Sequence, residues 1–143
     1  RIIGNQDKIE LGGVEMTAYI TAGHTPGSTT WTMKTTEAEK TYNLVFMASV
    51  SSPGYSLVDN KNYPSIADDY AASFKLLKML PCDIFLAPHG FAFSLKEKTS
   101  KRNEKSNPFI DPQGYQKAIE QAQTDYKNKL QTQQEQSSKK QPQ

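Results

Sequence analysis

The chain has 143 residues, 36% of them hydrophobic, with 17 Lys and Arg against 15 Asp and Glu for a formal charge of +2. That length suits one domain or part of one and is too short for two ordinary domains. The basic residues crowd into 96–105 and 127–140 without interleaved aromatics, which argues against nucleic acid as a partner. No apolar run approaches the roughly 20 residues that span a bilayer, and residues 1–6 lack the apolar centre of a signal peptide, so no membrane partner is expected. The single cysteine, Cys82, excludes an internal disulfide and a multi-cysteine zinc site.

Residues 8–20 read as a pair of strands around the Gly12-Gly13 turn. In the second, Val14, Met16, Ala18 and Ile20 alternate with polar neighbours. Nothing precedes this pair, so the chain is expected to begin inside a larger fold. Residues 29–34 give another alternating strand and residues 35–41 a loop. Residues 42–48 form a nearly continuous apolar run, suited to a strand covered on both faces. From Ser65 the period becomes helical, with Ile66, Tyr70, Phe74, Leu77 and Leu80 on one stripe, Asp68 placed for a capping box, and Pro81 as the stop.

Residues 83–87 read as a short buried strand. Asp111-Pro112 then opens a helix whose stripe is Tyr115, Ile119, Ala122, Tyr126 and Leu130. Residues 1–130 are therefore assigned to the folded unit. Residues 131–143 contain no apolar side chain and are expected to be a disordered polar tail.

Both histidines follow predicted strands in loops bounded by glycine and proline: Gly23-His24-Thr25-Pro26-Gly27 and Ala87-Pro88-His89-Gly90. Loops mounted on a rigid sheet commonly carry sites, and imidazole is a good zinc ligand. A catalytic zinc takes about three protein ligands, however, and no His-x-His or Glu-x-x-His completes the set. A third strand-to-loop junction, Ser49-Val50-Ser51-Ser52-Pro53-Gly54-Tyr55, sets two hydroxyls two residues apart, where they would share a face and could hold a carboxylate. Tyr55 could donate to a developing oxyanion. Spacing alone favours an ordinary Ser-Pro-Gly turn. No nucleophile elbow, Walker loop or dinucleotide fingerprint is present.

Together, the Gly23-to-Trp31 segment, the Phe46-to-Tyr55 junction, Tyr63-Pro64 ahead of Asp69-Tyr70, and Pro81-Cys82-Asp83 running to Pro88-His89 resemble the C-terminal half of subclass B3 metallo-β-lactamases. The similarity runs from about residue 9 to residue 130. It implies an α/β fold, the C-terminal αβ half of an αββα sandwich, with two zinc ions in the cleft at the strand ends. His24 and His89 map onto one ligand of each ion, the rest lying in a His-x-His-x-Asp-His motif of the N-terminal half, which would be this chain's partner. Ser49 and Ser51 map onto the family's substrate-carboxylate serines and Tyr55 onto its oxyanion-side tyrosine. The implied activity is hydrolysis of β-lactam antibiotics (penicillins, cephalosporins and carbapenems) by metal-activated water without an acyl-enzyme. It would act in the periplasm and confer resistance, with this chain alone inactive.

Two positions depart from many relatives. Ala48 stands where an aspartate often precedes the first serine, and residues 111–115 carry no cysteine to pair with Cys82, which is expected as a free, buried thiol. Two other readings compete. A glyoxalase II or lactonase of the same fold would place a metal-bridging aspartate where Ser49 stands, and a non-catalytic half-domain would lack the His-x-His-x-Asp-His motif upstream.

Overall fold

In the computed structural model, which describes residues 1–140, Gly12 and Gly13 both take positive φ (59° and 80°). They make the two-residue turn that folds β1 (Lys8–Leu11) back on β2 (Val14–Ile20), with Leu11 opposite Val14. β3 (Thr29–Glu37) pairs antiparallel with β2 and with β4 (Lys40–Phe46). β5 (Ile84–Leu86) adds to β4 in parallel, closing a five-stranded sheet in the order β1-β2-β3-β4-β5. The segment expected as a loop over residues 35–41 is instead a hairpin with only Ala38 and Glu39, at φ 47° and 65°, in its turn. Its strand arms are polar on both faces, so alternation gives no signal, and β-branched Thr35, Thr36 and Thr41 pair through the ladder all the same.

Register partners share a face, so Val45 and Phe85 point together toward the helices while Trp31, Met33, Leu44 and Phe46 point away. The first face is the core. Val45, Met47 and Phe85 pack there with Tyr70, Phe74 and Leu77 of α1 (Ile66–Met79) and with Tyr115, Ile119 and Tyr126 of α3 (Pro112–Lys140). Within this chain the four residues on the second face remain half-exposed. Among the described residues no helix lies over them.

Aromatic rings fill the helix interface, with Tyr70, Phe74 and Tyr126 at centroid separations of 5.3–6.2 Å. Their polar ends are satisfied, since Tyr126 Oη donates to Ala67 O at 2.8 Å and Tyr115 Oη to Leu77 O at 2.9 Å. α1 begins and ends close to the sequence reading. The Ser65 hydroxyl, however, donates to the Asp69 carboxylate and caps no backbone N–H.

A 3₁₀ turn (Gly90–Phe93) and α2 (Leu95–Lys101) follow β5 and have no counterpart in the sequence reading, because the only buried residue of α2 is Lys98. The expected disordered tail is also corrected. α3 continues through residues 131–140, where Gln133 and Ser137 bond to the loop ahead of α1, so polar contacts hold what apolar burial does not. The part of that expectation falling on residues 141–143 lies outside the described residues. Cys82 is free but only half-buried; burial above all pushes its thiol up to about 12.

Candidate active site

β2, β4 and β5 run the same way, because β3 is antiparallel to both its neighbours and β5 is parallel to β4. The segments leaving their C-terminal ends carry His24, the junction from Ser49 to Tyr55, and His89, so all of these residues sit at one end of the sheet.

The His24 loop is built on α1. Buried Ser73 donates its hydroxyl to Ala22 O at 2.7 Å, and Gly23 lies flat against the Tyr70 ring. With φ at +138° and a Cβ that would come within 2.7 Å of that ring, position 23 admits only glycine. The Tyr63 hydroxyl is buried beside the Gly23 backbone and the Asp69 carboxylate without meeting hydrogen-bond geometry. Burial first, then the carboxylate, push it up to about 12, so it stays protonated and neutral.

His24 Nδ1 lies 2.8 Å from the carbonyl oxygen of Ser51. A carbonyl only accepts, so Nδ1 carries the proton and Nε2 keeps its lone pair for a metal. Tyr70 Oη donates to the same oxygen at 2.6 Å, tying helix, histidine and serine junction to one atom.

The hydroxyls of Ser49 and Ser51 share a hydrogen bond at 3.0 Å, which sets them side by side. Beneath them, buried Thr21 and Thr30 share a hydroxyl contact of 2.9 Å, and Thr30 Oγ1 accepts from Ala48 N at 3.1 Å, which locks the ends of β2, β3 and β4 together. The Tyr55 ring sits 5.7 Å from the His24 ring, tilted by 42°. His89 is exposed at the start of the 3₁₀ turn, stacked at 5.3 Å on Phe91. Between the serine junction, the His89 loop and α3 lies a cleft of about 370 Å³, lined by Ser49, Ser51, His89, Phe91, Gln121 and Tyr126.

Among the described residues no group of three or more His, Cys, Asp or Glu side chains converges on one point. Two imidazoles, one with its tautomer fixed, suit zinc as donors but fall short of a full set. Sequence reasoning missed the supporting hydroxyls of Thr21, Thr30, Tyr63, Tyr70 and Ser73. The one signal available was a polar residue at an inward position, as with Ser73 between the apolar positions of α1.

No protein-family model matches the chain. Solved structures do. FEZ-1 metallo-β-lactamase from Legionella gormanii is 46% identical with a TM-score of 0.85, the match covering 91% of this chain and 50% of that one. A metallo-β-lactamase with a HARLDQ motif from Cronobacter sakazakii is 34% identical at TM-score 0.85, over 92% and 50%. BJP-1, a subclass B3 metallo-β-lactamase of Bradyrhizobium japonicum, is 29% identical at TM-score 0.88, over 94% and 51%. The chain spans about half the length of the structures it matches. In fold the chain matches one half of a metallo-β-lactamase, and in sequence it is similar to the same half of enzymes that include one of subclass B3.

Proposed function

We propose that the full-length protein is a zinc-dependent hydrolase of β-lactam antibiotics. His24 and His89 each supply one ligand, to separate zinc ions, and the remaining ligands come from a second half of the sandwich seated on the open sheet face. The observation that carries this reading is the gathering of both histidines, the serine pair and Tyr55 at one sheet end in a chain 46% identical to a metallo-β-lactamase. The half-exposed apolar face of Trp31, Met33, Leu44 and Phe46 is what a second half would cover. The proposed location is the periplasm, where such hydrolysis would confer resistance; no described helix is long and apolar enough to cross a membrane.

Bound zinc supplies Lewis-acid polarisation and a water made nucleophilic near neutral pH. This chain's residues do the rest. The Ser49 and Ser51 hydroxyls donate to the carboxylate that penicillins, cephalosporins and carbapenems share, holding the ring over the histidines. Tyr55 Oη donates to the negative charge that develops as the amide opens. The hydrogen bond from His24 to Ser51 O couples metal ligand and carboxylate site, so neither shifts without the other.

The full-length protein with zinc should turn over a chromogenic cephalosporin and lose that activity to a chelator. The 143-residue chain alone should bind zinc weakly and hydrolyse nothing, because two imidazoles are fewer than the roughly three protein ligands a catalytic site uses. A full-length protein that binds zinc and leaves every β-lactam intact would refute the reading.

The two substrate contacts separate in steady-state kinetics. Replacing Ser49 and Ser51 together by alanine should raise KM by about ten- to a hundredfold with a smaller effect on kcat, because the carboxylate is present in ground and transition states alike. Tyr55→Phe should instead lower kcat chiefly, since the charge it meets exists only during attack. Wild-type constants in both variants would return these residues to an ordinary turn.

A further inference from the structure

Residues 47–65 lead from the end of β4 to α1 and belong to no strand or helix, yet they carry both serines and Tyr55. A backbone without ladder partners must be satisfied elsewhere, and here side chains do it. Ser51 O is held by His24 and Tyr70, as described above. Beyond Ser51, besides the loop's own Ser56 and Asn60, contacts come from the late turns of α3. Lys129 Nζ donates to Ser52 O, Gln133 Nε2 donates to Tyr55 O at 2.9 Å, Leu57 N donates to Gln133 Oε1 at 2.6 Å, and Ser137 Oγ donates to Asp59 Oδ2 at 3.0 Å. Positions 129, 133 and 137 are four apart, so they share one face of the helix and meet successive points of the loop.

Gln133 stands at the centre of this ladder. Its amide grips the carbonyl before Ser56 and the N–H after it, and Leu57, 4% exposed, is anchored in the core directly beyond. The two hydrogen bonds therefore fix the backbone on which the Tyr55 ring is carried toward His24. We propose that Gln133 is a positioning residue for Tyr55, and that the all-polar end of α3 acts as a strap setting the substrate loop. This rests on the function proposed above for the loop.

The test uses the full-length protein with Gln133→Ala, Gln133→Glu, which keeps the acceptor for Leu57 N and loses the donor to Tyr55 O, and Gln134→Ala as a control on the exposed side. Alanine is a strong helix former, so the helix should persist. Loss of the clamp should speed amide exchange at Leu57 about tenfold. In Gln133→Ala, kcat on a penicillin should fall about tenfold with KM and zinc content near wild type. Gln133→Glu should lower kcat while keeping most of the Leu57 protection, and Gln134→Ala should change neither. Adding Gln133→Ala to Tyr55→Phe should produce little further loss, because both act through one hydroxyl.

Unchanged Leu57 exchange in Gln133→Ala, or effects of Gln133→Ala and Tyr55→Phe that simply multiply, would overturn the proposal. If the wild-type protein binds zinc but hydrolyses no β-lactam, the proposed function fails and the catalytic role of Gln133 with it. Leu57 exchange decides the strap independently of that result.

Discussion

Replacing His24 by alanine in the full-length protein should abolish β-lactam turnover and remove one zinc ion of two, while Tyr70→Phe should retain both ions with zinc affinity weakened about tenfold. The gradation follows from where each group stands. In the proposed reading His24 would offer Nε2 to the metal because its Nδ1 proton is committed to Ser51 O, and among the described residues no cluster of three or more ligand-type side chains stands by to replace it. Losing it removes a ligand outright, which exceeds the roughly 10–100-fold that losing an outer hydrogen-bond partner costs. Tyr70 touches no metal in this reading. It shares the Ser51 oxygen with His24 and forms the floor under Gly23, so its hydroxyl stabilises the ring's aim only indirectly. Zinc stoichiometry by elemental analysis, alongside competition with a chromophoric chelator, separates the two cases without relying on activity. Two equivalents of zinc retained by the His24→Ala protein would remove this histidine from the ligand set.

The sheet end that carries these residues was legible because strands with one apolar face alternate, and because glycine and proline mark where each strand stops. Met16, Ala18 and Ile20 point to β2, and the Thr-Pro-Gly after His24 marks the loop. The scaffold beneath the site was not legible. Tyr70 reads from its spacing as one more core residue, and it is one, but its hydroxyl reaches past the core to the loop after β4. That second role depends on a tertiary approach that periodicity cannot encode.

The same limit explains the end of α3. Residues 131–140 offer no apolar stripe, and the helix is held there by Gln133 and Ser137 meeting a loop more than seventy residues earlier in the chain. α2 escaped notice for a related reason, since its buried side chain is a lysine, which sequence patterns assign to the surface.

That lysine makes the stability prediction with the largest effect. Lys98 is 7% exposed, lies 4.9 Å over the Phe85 ring and pairs with Asp111 Oδ2 at 2.9 Å. Beyond that ion pair its ammonium has no hydrogen-bond partner among the described residues. Asp111 also caps α3, its Oδ1 accepting from Gly114 N at 2.8 Å. Asp111→Ala should therefore cost about 3–5 kcal/mol, because it strands a buried ammonium and removes an N-cap in one step. Lys98→Met should cost far less, about 1 kcal/mol, since a similar volume still packs on Phe85 and the remaining carboxylate keeps Gly114 and some water. Burial alone would raise the Asp111 carboxyl, but Lys98 and the Gly114 N–H together hold it below the usual carboxylate range. A depressed folded pKa contributes stability that is complete above the unfolded value and is lost as pH falls through the folded one, so this contribution should fade below about pH 4. Urea unfolding at pH 7 and pH 3 measures both effects. Equal losses for Asp111→Ala and Lys98→Met at pH 7 would show that the ion pair is solvated after all, and that burial of Lys98 carries no penalty for the lost partner.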